Sequence, residues 1–162
     1  MKENKKAATA DESVAASLAD LMPIIEERLL AGQPSEIMPR GVSMLPTLVE
    51  KRDSVILSPI VAKPRKYDII LYKRECGAYI LHRIVKIFPD AYLVIGDNQF
   101  APERVPKGAA IAVVSAIRRR DKLIKADSAG ERIFAWFWTL CRPVRRIWRK
   151  ILRKLRSLTA KK

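Results

Sequence analysis

The chain has 162 residues, 49% of them hydrophobic, which is enough for one domain with a buried core and leaves little room for a second. Lysine and arginine number 32 against 17 acidic residues, and the segment from Glu131 to Lys162 holds eleven of the basic residues and one acid. This segment therefore carries +10 of the net charge of +15, which predicts that it meets a polyanion, either nucleic acid or an anionic membrane face.

The first 36 residues are predicted to form an N-terminal helix and arm. Charged residues interrupt every apolar stretch here, so the segment resembles neither a signal peptide nor a membrane span. A helical pattern runs from about Glu12 to Leu30, with Pro23 as a kink or restart and Gly32 where the helix should end. We expect this helix to pack on the domain or on a partner. Its apolar stripe is Val14, Leu18, Leu21, Ile25 and Leu29.

Residues 37–120 are predicted to form the main domain, because short β-prone runs alternate there with turn residues. The spacing leaves no room for βαβ crossovers and predicts a mainly β, antiparallel fold built from hairpins. Residues 121–130 are interpreted as a polar linker. The predicted strands are Ser54–Leu57, Asp68–Lys73, Ala78–Ile87, Ala91–Ile95 and Ala110–Ile117.

Three short segments stand out within this domain. The first is Pro39–Leu48, which contains Ser43; the second is Leu81–Val85, which contains the only histidine, His82; the third is Gly96–Asn98. Taken singly, each has a plain structural interpretation as a turn or as a packed strand residue. Their order along the chain makes a functional interpretation stronger than any one of them does.

The first segment resembles the G-x-S-M-x-P-T-L signature of type I signal peptidases, the second resembles the strand that carries their general base, and the third resembles their G-D-N box. Asp68 to Tyr72 also resembles one of their strands, with Tyr67 in place of a glycine. The resemblance covers roughly residues 38 to 117. It implies a signal-peptidase/LexA-like antiparallel β domain, here with an N-terminal helix and a C-terminal amphipathic helix.

The resemblance implies that Ser43 is a nucleophile, His82 its general base and Asp97 the carboxylate that orients the imidazole. A serine hydroxyl needs an adjacent base, and imidazole, with an ordinary pKa of about 6.5, suits that task. Activity is therefore predicted to rise through an apparent pKa near neutrality. Most bacterial members have a lysine at this position; the histidine resembles the branch found in the endoplasmic reticulum, archaea and some sporulating bacteria.

Four further residues are expected to support the site. The backbone N–H of Ser43 would donate to an oxyanion. Gly41 lacks the hydroxyl that many bacterial members supply there, so a backbone group must replace it. Met44 and Pro46 would fix the loop, and Asn98 belongs to the supporting turn. No metal and no cofactor are expected.

Other partners for the histidine stay open. Asp97 could merely brace its turn, and Glu103 or Asp68 could face the imidazole instead. Lys73 and Lys86 are alternative bases in principle. Lys86 lies about 13 Å beyond the histidine on an extended strand, so both lysines are interpreted as solvated charges.

Residues 131–162 are predicted to form a basic amphipathic helix, restarted at Pro143. Its longest uncharged stretch, Ile133 to Cys141, has 9 residues, against about 20 needed to cross a bilayer. The pattern predicts a helix lying on an anionic membrane; packing on the domain or a partner is the alternative, and three tryptophans disfavour nucleic acid. The predicted membrane-binding residues are Trp136, Trp138, Arg145, Arg146, Trp148, Arg149 and Arg153.

The sequence thus predicts a serine endopeptidase that cleaves a leader or signal-like peptide, with small residues before the cut. Two cysteines, with no disulfide expected, fit a cytoplasmic protein on the inner face of the membrane, working beside enzymes of peptide maturation. A catalytically degenerate membrane module is one alternative. A self-cleaving repressor-like peptidase is another, disfavoured because the base is histidine and residues 1–38 are too few for a DNA-binding domain.

Overall fold

The computed structural model describes residues 20–159, with side chains described through Ile151. Helix α1 spans residues 20–30 and is followed by the strands. These are β1 Ser35–Ile37, β2 Asp53–Ser58, β3 Ile69–Lys73, β4 Tyr79–Ile87, β5 Ala91–Ile95, β6 Glu103–Pro106, β7 Ala110–Arg119 and β8 Lys122–Lys125. A single 3₁₀ turn, Lys107–Ala109, precedes β7, and the helices α2 Ala129–Leu140 and α3 Arg142–Thr159 follow β8.

Within the described residues, the eight strands form one antiparallel sheet in the order β1-β2-β7-β3-β4-β5-β6, and β8 pairs with β7. The predicted mainly β, antiparallel architecture with helices at both ends is confirmed. Strands β1, β6 and β8 were not predicted. The expected linker, residues 121–130, instead forms β8 and the first residues of α2.

Strand β3 is buried on both faces, which explains its unbroken apolar run Ile69-Ile70-Leu71-Tyr72. Ile69 and Leu71 join a core that includes α1, whereas Ile70 and Tyr72 join a second core on the opposite face of the sheet. Because successive strand residues point to opposite faces, two apolar layers require such a run rather than alternation. The second core, called here the β5–β6 core, consists of Ile70, Tyr72, Ile84, Tyr92, Val94 and Val105.

Helix α1 packs through Met22, Ile25 and Leu29 and is capped by Gly32, which has a φ of +77°. Gly32 N–H donates to Leu29 O and Gln33 N–H to Arg28 O, the hydrogen-bond pair of a Schellman cap. The expected stripe included Leu21, but that side chain is exposed and Met22 is buried in its place. The predicted stripe residues Val14 and Leu18 lie outside the described residues.

The C-terminal segment forms two helices. Ser128 caps α2 by accepting a hydrogen bond from Glu131 N–H, so α2 begins at Ala129, before the expected end of the linker. The helices are separated at Cys141, and Pro143 lies in the first turn of α3, where proline is tolerated. Among residues 20–159, no helix is both long enough and apolar enough to cross a bilayer.

Candidate active site

Ser43 lies in the loop between β1 and β2. Two neighbours, Met44 and Leu48, are 4% and 2% exposed and anchor this loop in the core next to α1. Gly41 has a φ of +88°, a left-handed conformation that favours glycine, and its N–H donates to Glu50 at 3.0 Å. The half-buried Ser43 donates no hydrogen bond, from either its hydroxyl or its N–H, to any described residue. Both groups are therefore available to a ligand.

The turn that follows β5 is attached to this loop. Asn98 N–H donates to Ser43 O at 2.8 Å, and Asn98 Nδ2 donates to Val42 O at 3.1 Å. A Cβ atom on Gly96 would lie 2.6 Å from Ser43 O, so the close approach of the two backbones requires glycine. The first and third sequence segments are thus in direct contact.

The second segment lies beside the same turn. Arg83 on β4 is paired with Ile95, the last residue of β5, and continuing this register places Gly96 opposite His82. The structure therefore brings the three segments together. No hydrogen bond joins the Ser43 hydroxyl to the His82 imidazole among the described residues.

Asp97 forms a buried ion pair with the residue next to the histidine. Its carboxylate accepts from Arg83 Nε at 2.8 Å and Arg83 Nη2 at 2.6 Å, and also from the Thr47 hydroxyl. Asp97 is 0% exposed and Arg83 4% exposed. No hydrogen bond joins Asp97 to the His82 imidazole among the described residues; the carboxylate accepts instead from the arginine fork and a hydroxyl.

His82 has a different set of neighbours. Its Nδ1 lies 3.1 Å from the Tyr72 hydroxyl, which donates to Glu103 at 2.7 Å, and Glu103 forms an ion pair with Arg74 at 2.6 Å. Burial lowers the pKa of His82 from 6.5 to about 4; the charges of Glu103 and Asp97 oppose this shift and that of Arg74 adds to it. The imidazole is therefore neutral at pH 7.

The other candidate partners are engaged elsewhere. Asp68 accepts from Arg65 N–H at 2.7 Å and from Arg132 at 3.2 Å. Lys73 and Lys86 are exposed, as expected for solvated charges. Of the two alternative carboxylates, Asp68 and Glu103, it is Glu103 that is connected to His82, through the Tyr72 hydroxyl. The sequence left Glu103 open as a partner of the histidine but did not identify Tyr72. The only sequence signal for Tyr72 is its place in the apolar run of β3.

A small cleft adjoins the Ser43 loop, with a volume of about 100 Å³. Its lining is mostly apolar and includes Ser43 itself, the strand segment just before His82, and core side chains. The lining residues on which the argument below depends are Ile37, Ser43, Leu71, Tyr79 and Leu81.

The C-terminal helices pack on the turn that holds Asp97. Trp138 Nε1 donates to Asp97 O at 2.9 Å, and Arg145 donates to the same oxygen at 3.1 Å. The Arg145 guanidinium also stacks 3.8 Å from the Trp138 ring centroid, and Arg149 donates to Asn98 O at 3.2 Å. Three of the predicted membrane-binding residues, Trp138, Arg145 and Arg149, thus contact the domain through backbone acceptors that lie under the helix pair.

The remaining predicted membrane residues differ from these three. Trp136 and Trp148 are 51% and 61% exposed, and Arg146 is exposed. Arg153 lies outside the residues whose side chains are described. Comparison of the chain with protein-family models, curated proteins and solved structures found no match.

Proposed function

We propose that this protein is a serine peptidase of the signal-peptidase type, with Ser43 as nucleophile and His82 as general base. The observation that carries the proposal is the convergence of the Ser43 loop, the β4 segment ending at His82 and the Gly96–Asn98 turn. A neutral imidazole and a hydroxyl that bonds to no described residue are the two groups that acyl transfer needs. Ser43 lines the small cleft together with the β4 residues that precede His82.

The proposed reaction follows from these groups. Ser43 Oγ attacks the scissile carbonyl carbon as its proton passes to His82 Nε2, and the Ser43 N–H donates to the oxyanion. Nε2 then gives the proton to the leaving amine as the C–N bond breaks, and water hydrolyses the acyl-enzyme by the reverse sequence. The proposal requires the hydroxyl to come within hydrogen-bond distance of Nε2 in the substrate complex, since such contacts are often longer in the free enzyme.

A peptide substrate has a place to bind along β4. The N–H and C=O of Ile84 form hydrogen bonds with the two residues just before β3, and the C=O of Ala78 accepts one from the residue just after β3. Because backbone groups alternate in direction along an antiparallel strand, those of Tyr79 and Leu81 point to the other edge. Pairing with β5 stops at Arg83, so this edge carries no strand partner within the described residues.

The unpaired edge and the adjacent cleft support the substrate class. An extended peptide can add to the edge as a strand, and a side chain of alternate register then enters the cleft. A volume of about 100 Å³ with an apolar lining suits a small side chain. This agrees with the leader or signal-like substrates, with small residues before the cut, that the resemblance implies.

An acylating serine probe tests the proposal. A fluorophosphonate should label the wild-type protein and the Ser54→Ala control, in which a strand hydroxyl bonded to Glu36 is removed. Labelling should disappear in Ser43→Ala and fall by about 10²–10⁴-fold in His82→Ala. Equal labelling of Ser43→Ala and wild type would refute the assignment.

The catalytically degenerate module stays the competing function, because Ser43 and His82 are not hydrogen-bonded here. Absence of labelling in a folded sample supplied with anionic vesicles would favour the module. The same result without vesicles would not separate the two functions, so both conditions belong in the experiment.

We also propose that the outer face of α2 and α3 lies on an anionic membrane. Among the side chains described, which end at Ile151, each helix exposes four large apolar residues at positions i, i+3, i+4 and i+7, with exposures of 46–67%. Exposed Arg146 and Lys150 supply positive charge on the same segment. The apolar residues are Ile133, Trp136, Phe137 and Leu140 on α2 and Val144, Ile147, Trp148 and Ile151 on α3.

Two tryptophans of one helix give a matched test of this surface. About half of the Trp136 side chain is exposed, roughly 100 Å², so Trp136→Ala should cost about 2 kcal/mol of membrane affinity, roughly 30-fold, at any salt concentration. Its thermal midpoint should not change. Trp138→Ala should instead lower the midpoint, because Trp138 bonds to Asp97 O. Co-sedimentation with phosphatidylglycerol and phosphatidylcholine vesicles measures the affinity; no binding to the anionic vesicles would refute the surface.

A further inference from the structure

A chain of hydrogen bonds leads from His82 to the protein surface. Its first two members are buried: His82 is 2% and Tyr72 1% exposed. Its last two, Glu103 and Arg74, have side chains 30% and 39% exposed and line a cavity of about 340 Å³ on the β6 side. The chain therefore starts at Nδ1 of the imidazole and ends at solvent, away from the cleft beside Ser43.

Sheet register places these residues on one face. His82 is paired with Ile70, so Tyr72, two residues further along β3, points to the same face as His82. The two rings lie 5.9 Å apart between centroids, at an interplanar angle of 53°. Glu103, paired with Val94, begins β6 and reaches the Tyr72 hydroxyl from the far side. The imidazole orientation is thus held by Tyr72 from β3, which is supported in turn by Glu103 from β6.

The number of protons available in this series of hydrogen bonds decides the tautomer of His82. The Tyr72 hydroxyl has one proton, and it goes to Glu103 at 2.7 Å. Bonding to Arg74 holds the pKa of Glu103 below its ordinary value, so the carboxylate is ionised at pH 7 and can only accept. Burial and the Glu103 charge raise the pKa of Tyr72, which keeps the hydroxyl protonated. The Tyr72 oxygen must therefore accept from His82 Nδ1–H at 3.1 Å.

We propose that Tyr72 and Glu103 are positioning residues that hold His82 in its Nδ1-protonated tautomer, leaving the Nε2 lone pair free to accept the Ser43 proton. The catalytic consequence rests on the proposed peptidase function, whereas the tautomer does not. When Nε2 takes the proton, the imidazolium keeps its Nδ1–H bond to Tyr72, and the Glu103 charge offsets the new positive charge. Tyrosine and glutamate together thus perform the task expected of Asp97.

Nuclear magnetic resonance tests the tautomer directly, because His82 is the only histidine and all imidazole nitrogen signals are its own. In uniformly ¹⁵N-labelled protein at pH 7, Nδ1 should have the shift of a protonated nitrogen and Nε2 that of an unprotonated one. Tyr72→Phe should move proton density towards Nε2. Tyr92→Phe is the matched control, since Tyr92 lies in the same β5–β6 core and makes no side-chain hydrogen bond to a described residue. A wild-type spectrum with Nε2 protonated would overturn the proposal.

The rate of fluorophosphonate labelling tests the consequence. Tyr72→Phe and Glu103→Gln should each slow labelling of Ser43 by about 10²-fold or more in protein that remains folded, because the base spends less time in the productive form. Asp90→Asn, which also removes a carboxylate bonded to an arginine, should leave the rate unchanged. Glu103→Gln should also move the low-pH limb of the rate to lower pH, since the Glu103 charge raises the pKa of His82.

The outcomes separate the two proposals. If Ser43→Ala is labelled as fast as wild type, the peptidase proposal fails while the nitrogen spectra still decide the tautomer. If only Ser43→Ala loses labelling, and Tyr72→Phe and Glu103→Gln keep the wild-type rate and tautomer, the positioning proposal fails alone. Should Tyr72→Phe prove unfolded, Glu103→Gln at the exposed end of the chain gives the same information.

Discussion

Lowering the pH from 7 to 5 should destabilise this protein through His82 alone. The folded state holds the imidazole neutral with a pKa of about 4, against 6.5 when it is solvated. Below pH 6.5 the unfolded chain therefore binds more protons than the folded one, so the stabilisation is complete above pH 6.5 and is lost as the pH falls towards 4. The linkage relation gives a loss of about 2 kcal/mol at pH 5 and ~3 kcal/mol at pH 4.

This pH window isolates the imidazole. The carboxyl groups with lowered pKa values, such as Asp53 and Glu103, lose their stabilising effect only below their ordinary values of 3.8 and 4.5. Urea denaturation at pH 7 and pH 5 should show the loss of about 2 kcal/mol in the wild type and a change of under about 0.5 kcal/mol in His82→Gln, which cannot titrate. Equal losses in the two proteins, or an imidazole pKa of 6.5 or higher by NMR titration, would refute the reasoning.

The same pKa bears on activity. The sequence alone predicts a rise in activity through a pKa near neutrality, because 6.5 is the ordinary value for imidazole. Burial moves the expected limb down towards pH 4 in the free protein. Measuring the labelling rate of Ser43 from pH 4 to 8 distinguishes an apparent pKa near 6.5 from one near 4.

Asp97→Asn should cost about 3–5 kcal/mol, since it leaves Arg83 buried without its counter-ion; Asp90→Asn, at an exposed pair, should leave the urea midpoint unchanged. A loss of labelling in Asp97→Asn without a loss of stability would restore its catalytic role. Gly96→Ala should cost about 1–3 kcal/mol and slow the labelling of Ser43, because its Cβ meets Ser43 O at 2.6 Å. Gly108→Ala, with open space around the added carbon, is the control, and wild-type labelling in Gly96→Ala would show that the loop tolerates displacement.

The longer strands could be predicted from the sequence because their signals are local. The prediction for Ala91–Ile95 matches β5 residue for residue, and the apolar run of β3 is bounded by turn residues. Strands β1, β6 and β8 escaped prediction because they are short or polar, and they form by pairing with neighbours already in the sheet. The signal for the end of α1 is local as well, since Gly32 supplies the left-handed residue that the cap requires.

The sequence by itself also determined which segments form the candidate site, because Ser43, His82 and Gly96–Asn98 carry distinctive residues in a distinctive order. It did not determine which carboxylate serves the histidine. His82 and Arg83 are adjacent on β4, and adjacent strand residues point to opposite faces of the sheet. The Asp97 carboxylate forms its ion pair with Arg83. Pairing of β6 with β5 places Glu103 on the other face, which is the face of His82. Only the tertiary structure fixes that choice, because it depends on the register between strands distant in the chain.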